Sequence, residues 1–435
     1  MPPTALSEFP SIRDRHETLD REELRALQLR RLRETVARVL ADQPAGAAKL
    51  RVAGIADAAD IGRLSDIDRV PFTVKQDLRD HYPFGLLAVP RAELVRVHAS
   101  SGTHGKATIV GYTRNDLENW TELMARCMTM AGVRPGMLVH NANGYGLFTG
   151  GFGFHQGAER LGAAVVPVGA GFTARQITLI VDLGADVLVS TPSYALAIAA
   201  AMRESGVDPA TLNLKLGLFG GEHATRRMRD EIERELGLTS ITNYGLSEMC
   251  GPGVACECIH ERDGLHVQED HYMVEVVEPD SGRVLAPGEA GELVFTTLTK
   301  EALPLIRYRT GDLGRVTLEP CSCGRTTARL VDIAGRRDDM ITVRGINVFP
   351  STVEHLLLGV EGVAPVYRLI VERPAALDEL TLEVEIAGDG DRAVLTLHLE
   401  RLLREHMGMR INVTVQEPGS LPRSEGKAVR VIDRR

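Results

Sequence analysis

Small hydroxyl side chains, two glycines and a lysine lie within one eight-residue segment, Ala99-Ser100-Ser101-Gly102-Thr103-His104-Gly105-Lys106. Glycine lets the backbone approach an anion closely, and free N–H groups in a tight loop bind phosphate oxygens. The hydroxyls add donors, and the lysine adds a positive charge. The segment differs from the Walker A loop, which has four residues between its glycines and a Ser or Thr after the lysine. Taken alone, it predicts either a phosphate loop or an ordinary polar turn.

Five further motifs place carboxylates, glycines and basic residues where nucleotide chemistry would need them. In chain order they are Phe219-Gly220-Gly221-Glu222, Tyr244-Gly245-Leu246-Ser247-Glu248, Tyr308-Arg309-Thr310-Gly311-Asp312, Gly335-Arg336-Arg337-Asp338-Asp339-Met340 and Pro422-Arg423-Ser424-Glu425-Gly426-Lys427. With the first loop, they resemble the core motifs of the adenylate-forming superfamily of acyl- and aryl-CoA synthetases. Several longer segments resemble the phenylacetate-CoA ligase family more closely, and the resemblance covers nearly the whole chain.

The resemblance implies how the triphosphate of ATP is bound. The loop from Ser100 to Lys106 would hold the β- and γ-phosphates, with His104 standing where the family usually has a threonine. Either its imidazole replaces a hydroxyl donor to phosphate, or position 104 only shapes the loop. Glu248 corresponds to the glutamate that binds Mg²⁺, a role that suits a hard oxygen ligand. Ser247 would contact phosphate.

The remaining motifs imply contacts with the nucleoside and with the reacting centre. Tyr244 would pack against adenine, in a pocket that is also lined by Gly220, Gly221 and Glu222, although these three could equally form a plain turn after a strand. Asp312 would accept hydrogen bonds from the ribose diol, and Arg336 would add a donor to the nucleotide. Asp338 falls at the hinge position, and Lys427 resembles the lysine that reaches the carboxylate and the α-phosphate during adenylation.

The segment Asn141-Ala142-Asn143-Gly144-Tyr145-Gly146-Leu147-Phe148 resembles the wall of the aryl pocket in this family. The family usually has tyrosine at position 143, where this chain has asparagine. A buried amide left unpaired costs about 1–3 kcal/mol, so Asn143 favours an aromatic acid with a polar ring substituent. The alternative is that Asn143 faces water or backbone. Tyr145, Phe148 and Phe154 are predicted either as pocket contacts or as core aromatics.

Four of the six cysteines cluster along the chain with two histidines. Thiolates and imidazole in a tetrahedral set are the ligands that structural zinc prefers, although Cys-x-Cys is tighter than the usual spacing. Some members of the family carry a zinc ion on a similar Cys–His pair and Cys-x-Cys-Gly-Arg turn. We predict a structural zinc site, with free cytosolic thiols as the alternative; its ligands are Cys258, His266, Cys321 and Cys323, with Cys256 or His260 as substitutes.

Short β-branched segments alternate with helical ones between about residues 90 and 320, which indicates parallel sheets covered by helices. In such sheets ligands bind at the carboxyl ends of the strands, where the motifs above lie. The predicted fold is α/β, with a large N-terminal adenylation domain over residues 1–334 that has parallel-rich sheets. A small α+β lid follows over residues 335–435, and the resemblance implies that it is mobile. Predicted elements include helices over 22–41, 116–130 and 193–204 and strands over 186–190 and 216–219.

Composition excludes several other classes of protein. The 435 residues have a net charge of −9, which argues against a nucleic-acid surface, and no apolar run is long enough to span a bilayer. No secretory signal precedes the motifs, and six cysteines in so long a chain do not form a disulfide framework. We therefore expect a cytoplasmic enzyme without membrane or nucleic-acid partners, which is a candidate homodimer.

The predicted activity is an ATP-dependent aryl-CoA ligase that uses Mg²⁺ and coenzyme A. An aromatic carboxylic acid would first be joined to AMP, and the lid would then rotate so that the CoA thiol attacks the acyl-adenylate. A close alternative transfers the acyl group to a carrier protein. A non-catalytic nucleotide sensor is the rival from another class, although such a sensor would not need both Glu248 and Lys427.

Overall fold

The computed structural model describes residues 12–100, 107–336, 341–343, 346–348, 350–374, 378–388, 390–422 and 430–435. These residues form two compact units. The first contains the described residues of Met1–Ser190, Thr211–Gly221 and Leu238–Ile333. The second contains those of Thr191–Ala210, Glu222–Gly237 and Ala334–Arg435. Two helical segments from the middle of the sequence are therefore grouped with the C-terminal residues, which the sequence analysis did not predict.

The strands β1–β13 build the first unit, and the last of them runs on into the second. Their bounds are β1 (Arg96–Ala99), β2 (Ile109–Tyr112), β3 (Leu138–Asn141), β4 (Ala164–Val166), β5 (Val187–Ser190), β6 (Leu216–Phe219), β7 (Thr239–Leu246), β8 (Gly251–Glu257), β9 (Leu265–Val267), β10 (Tyr272–Val277), β11 (Gly291–Thr297), β12 (Tyr308–Thr317) and β13 (Arg329–Arg336).

Eleven of these strands form one sheet, in the spatial order β10-β11-β12-β13-β9-β8-β7-β6-β5-β3-β4. The strands from β4 to β7 pair in parallel, whereas β7 pairs antiparallel with β8, and β8 pairs antiparallel with β9. The α/β class is confirmed, but the antiparallel half of the sheet was not predicted. Strand β7 is the junction between the two halves, and the Tyr244–Glu248 motif begins on it.

Helices α1–α6 and four short 3₁₀ helices accompany this sheet. Their bounds are α1 (Arg21–Asp42), α2 (Pro44–Val52), α3 (Lys75–Asp80), α4 (Arg114–Met130), α5 (Gly150–Leu161) and α6 (Thr173–Leu183), with 3₁₀ turns at Arg15–Thr18, Ala58–Asp60, Leu64–Arg69 and Arg91–Glu93. Helix α1 begins where the Asp20 carboxylate accepts the N–H groups of Glu22 and Glu23, which satisfies two otherwise free helix donors. It buries one apolar face, as its sequence predicts.

The core explains why the central strands are so apolar. Strands β5 and β6 are buried along their whole length, which is expected of parallel strands that are covered on both faces. The large buried side chains of α4, Trp120, Met124 and Met128, belong to the same core. Because α4 starts at a capping box formed by Thr113 and Asp116, its first turn is held in one place.

The second unit contains a smaller sheet with its own apolar core. Its elements are α7 (Pro192–Glu204), α8 (Arg226–Leu236), β14 (Ile341–Val343), β15 (Ile346–Val348), α9 (Pro350–Leu357), β16 (Val363–Glu372), β17 (Glu379–Ile386), α10 (Arg392–Met407), β18 (Asn412–Gln416) and β19 (Val431–Asp433), and the 3₁₀ turn Pro209–Thr211 bridges the two units in sequence. Strands β18, β17, β16 and β19 pair in that order. Across the described ranges, no helix is both long and apolar enough for a membrane span.

Candidate active site

The antiparallel pair β1–β2 brackets the predicted phosphate loop. The Ser100 N–H donates to the Thr108 carbonyl at 2.9 Å, and the Thr108 N–H donates to the Ser100 hydroxyl at 3.3 Å. The residues that flank the loop, Ser100 and Thr108, are therefore held together at the end of the β1–β2 pair. Residues 101–106 lie outside the described residues, so phosphate binding by Ser101, Gly102, Thr103, His104, Gly105 and Lys106 stays a prediction.

The glycines that follow β6 lie at the carboxyl end of the parallel strands. A Cβ atom on Gly220 would lie 2.6 Å from the Asn243 carbonyl oxygen, so only glycine lets these two strands approach so closely. Gly221 has a φ of +84° and turns the chain away from the sheet. Glu222 begins a segment of the second unit, where its carboxylate accepts the Ser193 N–H at 2.7 Å.

Tyr244 and Asp312 meet at the end of β7. The Tyr244 hydroxyl donates to the Asp312 carboxylate at 2.5 Å, although 68 residues separate them in sequence. The Tyr244 ring stacks on Phe295 with a centroid separation of 6.0 Å, and the Asp312 N–H donates to the Thr310 hydroxyl at 2.9 Å. A Cβ atom on Gly245 would lie 1.9 Å from the Gly251 carbonyl oxygen, so glycine is required at the bulge between β7 and β8.

Glu248 lies in a tight turn immediately after β7. The Met249 N–H donates to the Leu246 carbonyl at 3.0 Å, which closes the turn. The Glu248 residue is 6% exposed, and within the described ranges no group hydrogen-bonds its carboxylate. A carboxylate without a protein hydrogen-bond partner is available to hold a cation. The predicted phosphate contact Ser247 lies beside it, with its hydroxyl 3.3 Å from that of Thr149.

Two buried residues that the sequence analysis missed support this turn. The Tyr112 hydroxyl donates to the Ser247 carbonyl at 3.2 Å, and Lys300 Nζ donates to the Met249 carbonyl at 2.5 Å. Burial raises the pKa of Tyr112 well above its usual value, so the phenol stays a neutral donor. Burial lowers the pKa of Lys300 to about 8, against the attraction of nearby acidic groups. No local sequence pattern singled out either residue.

The segment predicted to wall the acid pocket follows β3. Asn141 anchors it, because its side-chain amide donates to the Tyr145 hydroxyl and to the Gly151 carbonyl, both at 2.8 Å. The Asn143 N–H donates to the Asn141 side-chain oxygen at 3.2 Å, and the Asn143 residue is buried. The Tyr145 hydroxyl also lies 3.1 Å from His155 Nδ1, and burial raises the pKa of Tyr145 to about 12.

The structure separates the two predicted phenylalanines. Phe148 is partly exposed beside Gly150, whereas Phe154 is buried on α5 within the main apolar core. The acid-pocket segment also adjoins the phosphate-loop hairpin. The Ala99 N–H and the His98 ring each hydrogen-bond the Leu147 carbonyl, at 3.0 and 3.1 Å. The segments predicted to bind acid and phosphate are therefore neighbours in space.

Three predicted residues near the C-terminus have no described side chain. Arg336 is the last residue of β13, and only its backbone is described. Asp338 and Lys427 lie outside the described residues. Their roles as nucleotide donor, hinge and adenylation lysine stay predictions.

The four predicted zinc ligands come together in the antiparallel half of the sheet. Cys258, His266, Cys321 and Cys323 are all buried, and their donor atoms lie within 4.8 Å of one another. The Cys258 and Cys321 sulfurs are 3.6 Å apart, and Cys323 Sγ is 3.4 Å from His266 Nε2. The alternative ligand Cys256 instead places its sulfur 3.6 Å from the Cys127 carbonyl oxygen.

This donor set fits a tetrahedral Zn²⁺ ion. Zinc–sulfur bonds of about 2.3 Å place tetrahedral sulfurs about 3.8 Å apart, which is close to the separation found here. His266 Nδ1 lies 3.2 Å from the Thr327 hydroxyl, so Nε2 faces the other three donors. Burial raises the pKa of Cys321 to about 11, whereas a hydrogen bond with Cys258 lowers the pKa of Cys323 to about 7. A cation would stabilise all three thiolates.

Comparison with known proteins shows the family of the chain. Residues 100–298 match the family model for AMP-binding enzymes, and residues 345–435 match that for the C-terminal domain of AMP-binding enzymes. The phenylacetate-coenzyme A ligase of Thermus thermophilus is 49% identical over 96% of this chain and 98% of its own length. That of Escherichia coli is 47% identical over 96% and 97%.

A solved structure supports the same assignment. The crystal structure of 2-hydroxyisobutyryl-CoA ligase, in a postadenylation state with an acyl-AMP, has a TM-score of 0.90 at 32% identity. The match covers 97% of this chain and 92% of that one. On the evidence of these relatives and family models, the chain belongs to the phenylacetate-CoA ligase family of AMP-forming CoA ligases.

Proposed function

We propose that this chain is an ATP-dependent aryl-CoA ligase. In the first step an oxygen of the acid's carboxylate attacks the α-phosphorus of ATP, and pyrophosphate leaves. In the second step the thiolate of coenzyme A attacks the acyl carbon of the adenylate, a thioester bond forms, and AMP leaves. The proposal extends the activity named for the relatives to this chain.

The observation that carries the proposal is the grouping of Tyr244, Glu248 and Asp312 around the end of β7. This is the carboxyl edge of the parallel strands, where ligands of α/β proteins bind. The Asp312 carboxylate accepts a hydrogen bond from Tyr244 with one oxygen, so its orientation is fixed. We propose that its other oxygen accepts from the ribose hydroxyls.

Glu248 is the residue that we propose for Mg²⁺. Its carboxylate has no hydrogen-bond partner in the described part of the chain, and carboxylate oxygen is the ligand that Mg²⁺ prefers. When bound, Mg²⁺ neutralises charge on the phosphate oxygens as pyrophosphate leaves. Glu248 would hold the ion, and through the ion it would orient the phosphates. Because hydrogen bonds fix the turn around Glu248, the carboxylate needs no reorganisation during the reaction.

The remaining catalytic groups are carried by the predicted domain at residues 335–435. We propose that Lys427 supplies a positive charge between the acid's carboxylate and the α-phosphate, and that Arg336 donates to the nucleotide. A change of backbone conformation at Asp338 would exchange the adenylation and thioester arrangements of this lid. The rest of the chain, residues 1–334, is then the adenylation domain.

For the substrate, we propose an aromatic acid with a polar ring substituent. Asn143 is buried, and within the described ranges its side-chain amide has no hydrogen-bond partner. A hydroxyl or amine on the ring of the acid would supply a hydrogen-bond partner for this amide. Tyr145 and Phe148 are the aromatic contacts proposed on the same segment.

We further propose that Cys258, His266, Cys321 and Cys323 hold a structural Zn²⁺ ion. Four protein donors leave no open position for a substrate, which is the property of structural rather than catalytic zinc sites. The ion would tie the start of the β12–β13 connection to β8 and β9. Cytoplasmic location and homodimerisation, which were expected from the sequence, stay predictions.

The experiment that tests the function is pyrophosphate release from MgATP across a panel of aryl acids, with and without coenzyme A. We expect acid-dependent release, thioester only when coenzyme A is present, and loss of both with Lys427→Ala. Adenylate without thioester would favour transfer to a carrier protein. ATP binding without turnover on any acid would favour a nucleotide sensor and contradict the proposal.

A further inference from the structure

Lys300 is a buried cation that the proposed chemistry does not use. It is 6% exposed, and its Nζ donates to the Met249 carbonyl at 2.5 Å. The same atom lies 4.1 Å from the centre of the Tyr112 ring, a cation–π distance. Taking a charged amine out of water costs free energy unless it gains partners, so a lysine here calls for an explanation.

The contacts of Lys300 and Tyr112 converge on the residue between them. Tyr112 donates to the carbonyl of Ser247, and Lys300 donates to the carbonyl of Met249. The two carbonyl groups that flank Glu248 are therefore each held by a buried side chain. Together with the hydrogen bond that closes the turn, these contacts fix the backbone from which the Glu248 carboxylate projects.

The loop that carries Lys300 is itself fixed to the first turn of α4. The Asp116 carboxylate, which is buried, accepts the N–H groups of Glu301 and Ala302 at 2.7 and 3.0 Å. The Thr113 hydroxyl donates to the Glu301 carboxylate at 2.7 Å. The same two residues cap α4. The segment that carries Lys300 is therefore held against a helix of the main core.

A cavity of about 20 Å³ lies among Lys300, Tyr112, Asp116 and Cys250. A volume of that size holds about one water molecule, so the remaining N–H groups of the ammonium have room for a solvent partner. A cavity of this volume has no room for a substrate of the size of an acid or nucleotide. Lys300 therefore acts on the site through the turn and not by touching the reactants.

We propose that Lys300 is a positioning residue for the adenylation step, which holds Glu248 in the orientation that Mg²⁺ requires. This inference rests on the proposed function. Pyrophosphate and its magnesium ion have left before the thioester step, so that step does not need the fixed Glu248 carboxylate. The two half-reactions therefore depend on Lys300 to different degrees.

The test compares both half-reactions in the full-length Lys300→Met variant, which keeps the length of the side chain and removes the charge and the donor. Adenylation is followed by acid-dependent pyrophosphate release over a Mg²⁺ titration. Thioester formation is followed from synthetic aryl-adenylate and coenzyme A without ATP. We expect the Mg²⁺ concentration for half-maximal adenylation to rise roughly 10–100-fold, which is the usual effect of lost support behind a metal ligand. Thioester formation should stay within about twofold.

Lys215→Met is the matched control, because Lys215 pairs with Asp186 at 2.6 Å near the amino ends of β5 and β6. It should leave the Mg²⁺ titration unchanged. Tyr112→Phe removes only one hydroxyl and should shift the titration in the same direction by a smaller factor, which keeps the test available if Lys300→Met does not fold.

Equal losses in both half-reactions would identify Lys300 as a merely structural residue and overturn the inference. An unchanged Mg²⁺ titration in both variants would do the same. Absence of adenylation by the unmodified protein would instead contradict the proposed function, so the two failures are distinguishable.

Discussion

The turn around Glu248 and the cysteine cluster belong to the same sheet, but their polar groups are arranged in opposite ways. Around Glu248, the backbone carbonyls are occupied by Tyr112 and Lys300, and the carboxylate has no hydrogen-bond partner in the described ranges. In the cluster, four donor atoms face one another within 4.8 Å. The first is an open arrangement that a ligand can enter, and the second is a closed one.

Mutations at these two sites should therefore have different effects on activity and on stability. An open site in a rigid frame can lose its functional group with little cost in folding free energy, since few of its packing contacts involve that group. A closed metal site contributes to folding, because the ion binds the folded chain and not the unfolded one. We therefore expect activity to depend on Glu248 and stability to depend on the cysteines.

The largest expected effect is on stability after zinc is removed. At a free zinc concentration a thousandfold above its Kd, binding stabilises the folded state by about 4 kcal/mol. Chelation, or Cys321→Ser, should therefore lower the Tm by several degrees. The measurements are metal analysis by mass spectrometry and thermal denaturation with and without chelator. Cys250→Ser is the control, since Cys250 lies outside the cluster; a purified protein without bound zinc would contradict the site.

Glu248→Gln should lower activity strongly and stability little, which is the opposite of Cys321→Ser. The amide keeps the shape of the side chain but loses the charge, so adenylation should slow by about 10²–10³-fold, as for removal of one preorganised electrostatic group. The Tm should change by less than in Cys321→Ser. Pyrophosphate release and thermal denaturation measure the two quantities, and exposed Glu319→Gln is the control. If Glu248→Gln lowered the Tm and left the Mg²⁺ dependence of adenylation normal, the proposed difference between the two sites would be wrong.

Tyr244→Phe should weaken nucleotide binding. The hydroxyl bonded to the Asp312 carboxylate at 2.5 Å is lost, and hydrogen bonds to charged groups contribute about 1.5–3 kcal/mol. The KM for ATP should rise by about tenfold or more, while the KM for the acid stays the same. Steady-state kinetics with each substrate varied in turn checks this, with half-exposed Tyr82→Phe as control. Equal changes in both constants would place Tyr244 outside the ribose site.

The affinity of the cysteine cluster for zinc should depend on pH, which distinguishes this cluster from the Glu248 site. Burial raises the pKa of Cys321 to about 11, and a hydrogen bond with Cys323 together with burial also raises the pKa of Cys258. Both thiols are therefore protonated at neutral pH in the metal-free protein, and zinc binding must release protons. Affinity should rise with pH by roughly tenfold per unit for each proton released. Competition with a chromophoric chelator at several pH values measures it, and a pH-independent affinity would contradict thiolate ligation.

The smallest expected effect is a change in substrate ranking. Asn143→Tyr should shift preference from ring-substituted acids toward unsubstituted phenylacetate, by about tenfold in kcat/KM, because the amide proposed to bind a ring substituent is removed. The KM for ATP serves as the internal control. An unchanged ranking would show that Asn143 does not line the acid pocket.

The sequence predicted much of this molecule because its signals are local. Apolar segments bounded by turn residues marked β5 and β6, and the amphipathic pattern over 22–41 marked α1. The motifs predicted Tyr244, Glu248 and Asp312 individually as site residues, each from the residue types within a short segment. The donor chemistry and the family resemblance predicted four zinc ligands.

The antiparallel half of the sheet was not predictable in the same way. Pairing of β13 with β9 depends on contacts between distant segments, whose short and mixed patterns do not specify a partner. Nor did any local pattern identify Lys300 or Tyr112, since an isolated lysine or tyrosine is usually exposed or simply packed. Their importance comes from the direction of two hydrogen bonds to the same turn.

The sequence by itself determined the family, the α/β class and the residue types that are available for chemistry, because motifs and periodicity are properties of short segments. Only the tertiary structure decided which of those groups meet. It brought the hydroxyl of Tyr244 to the carboxylate of Asp312, left the Glu248 carboxylate open, and enclosed the cysteines, because long-range strand pairing sets the distances between segments that are far apart in the chain.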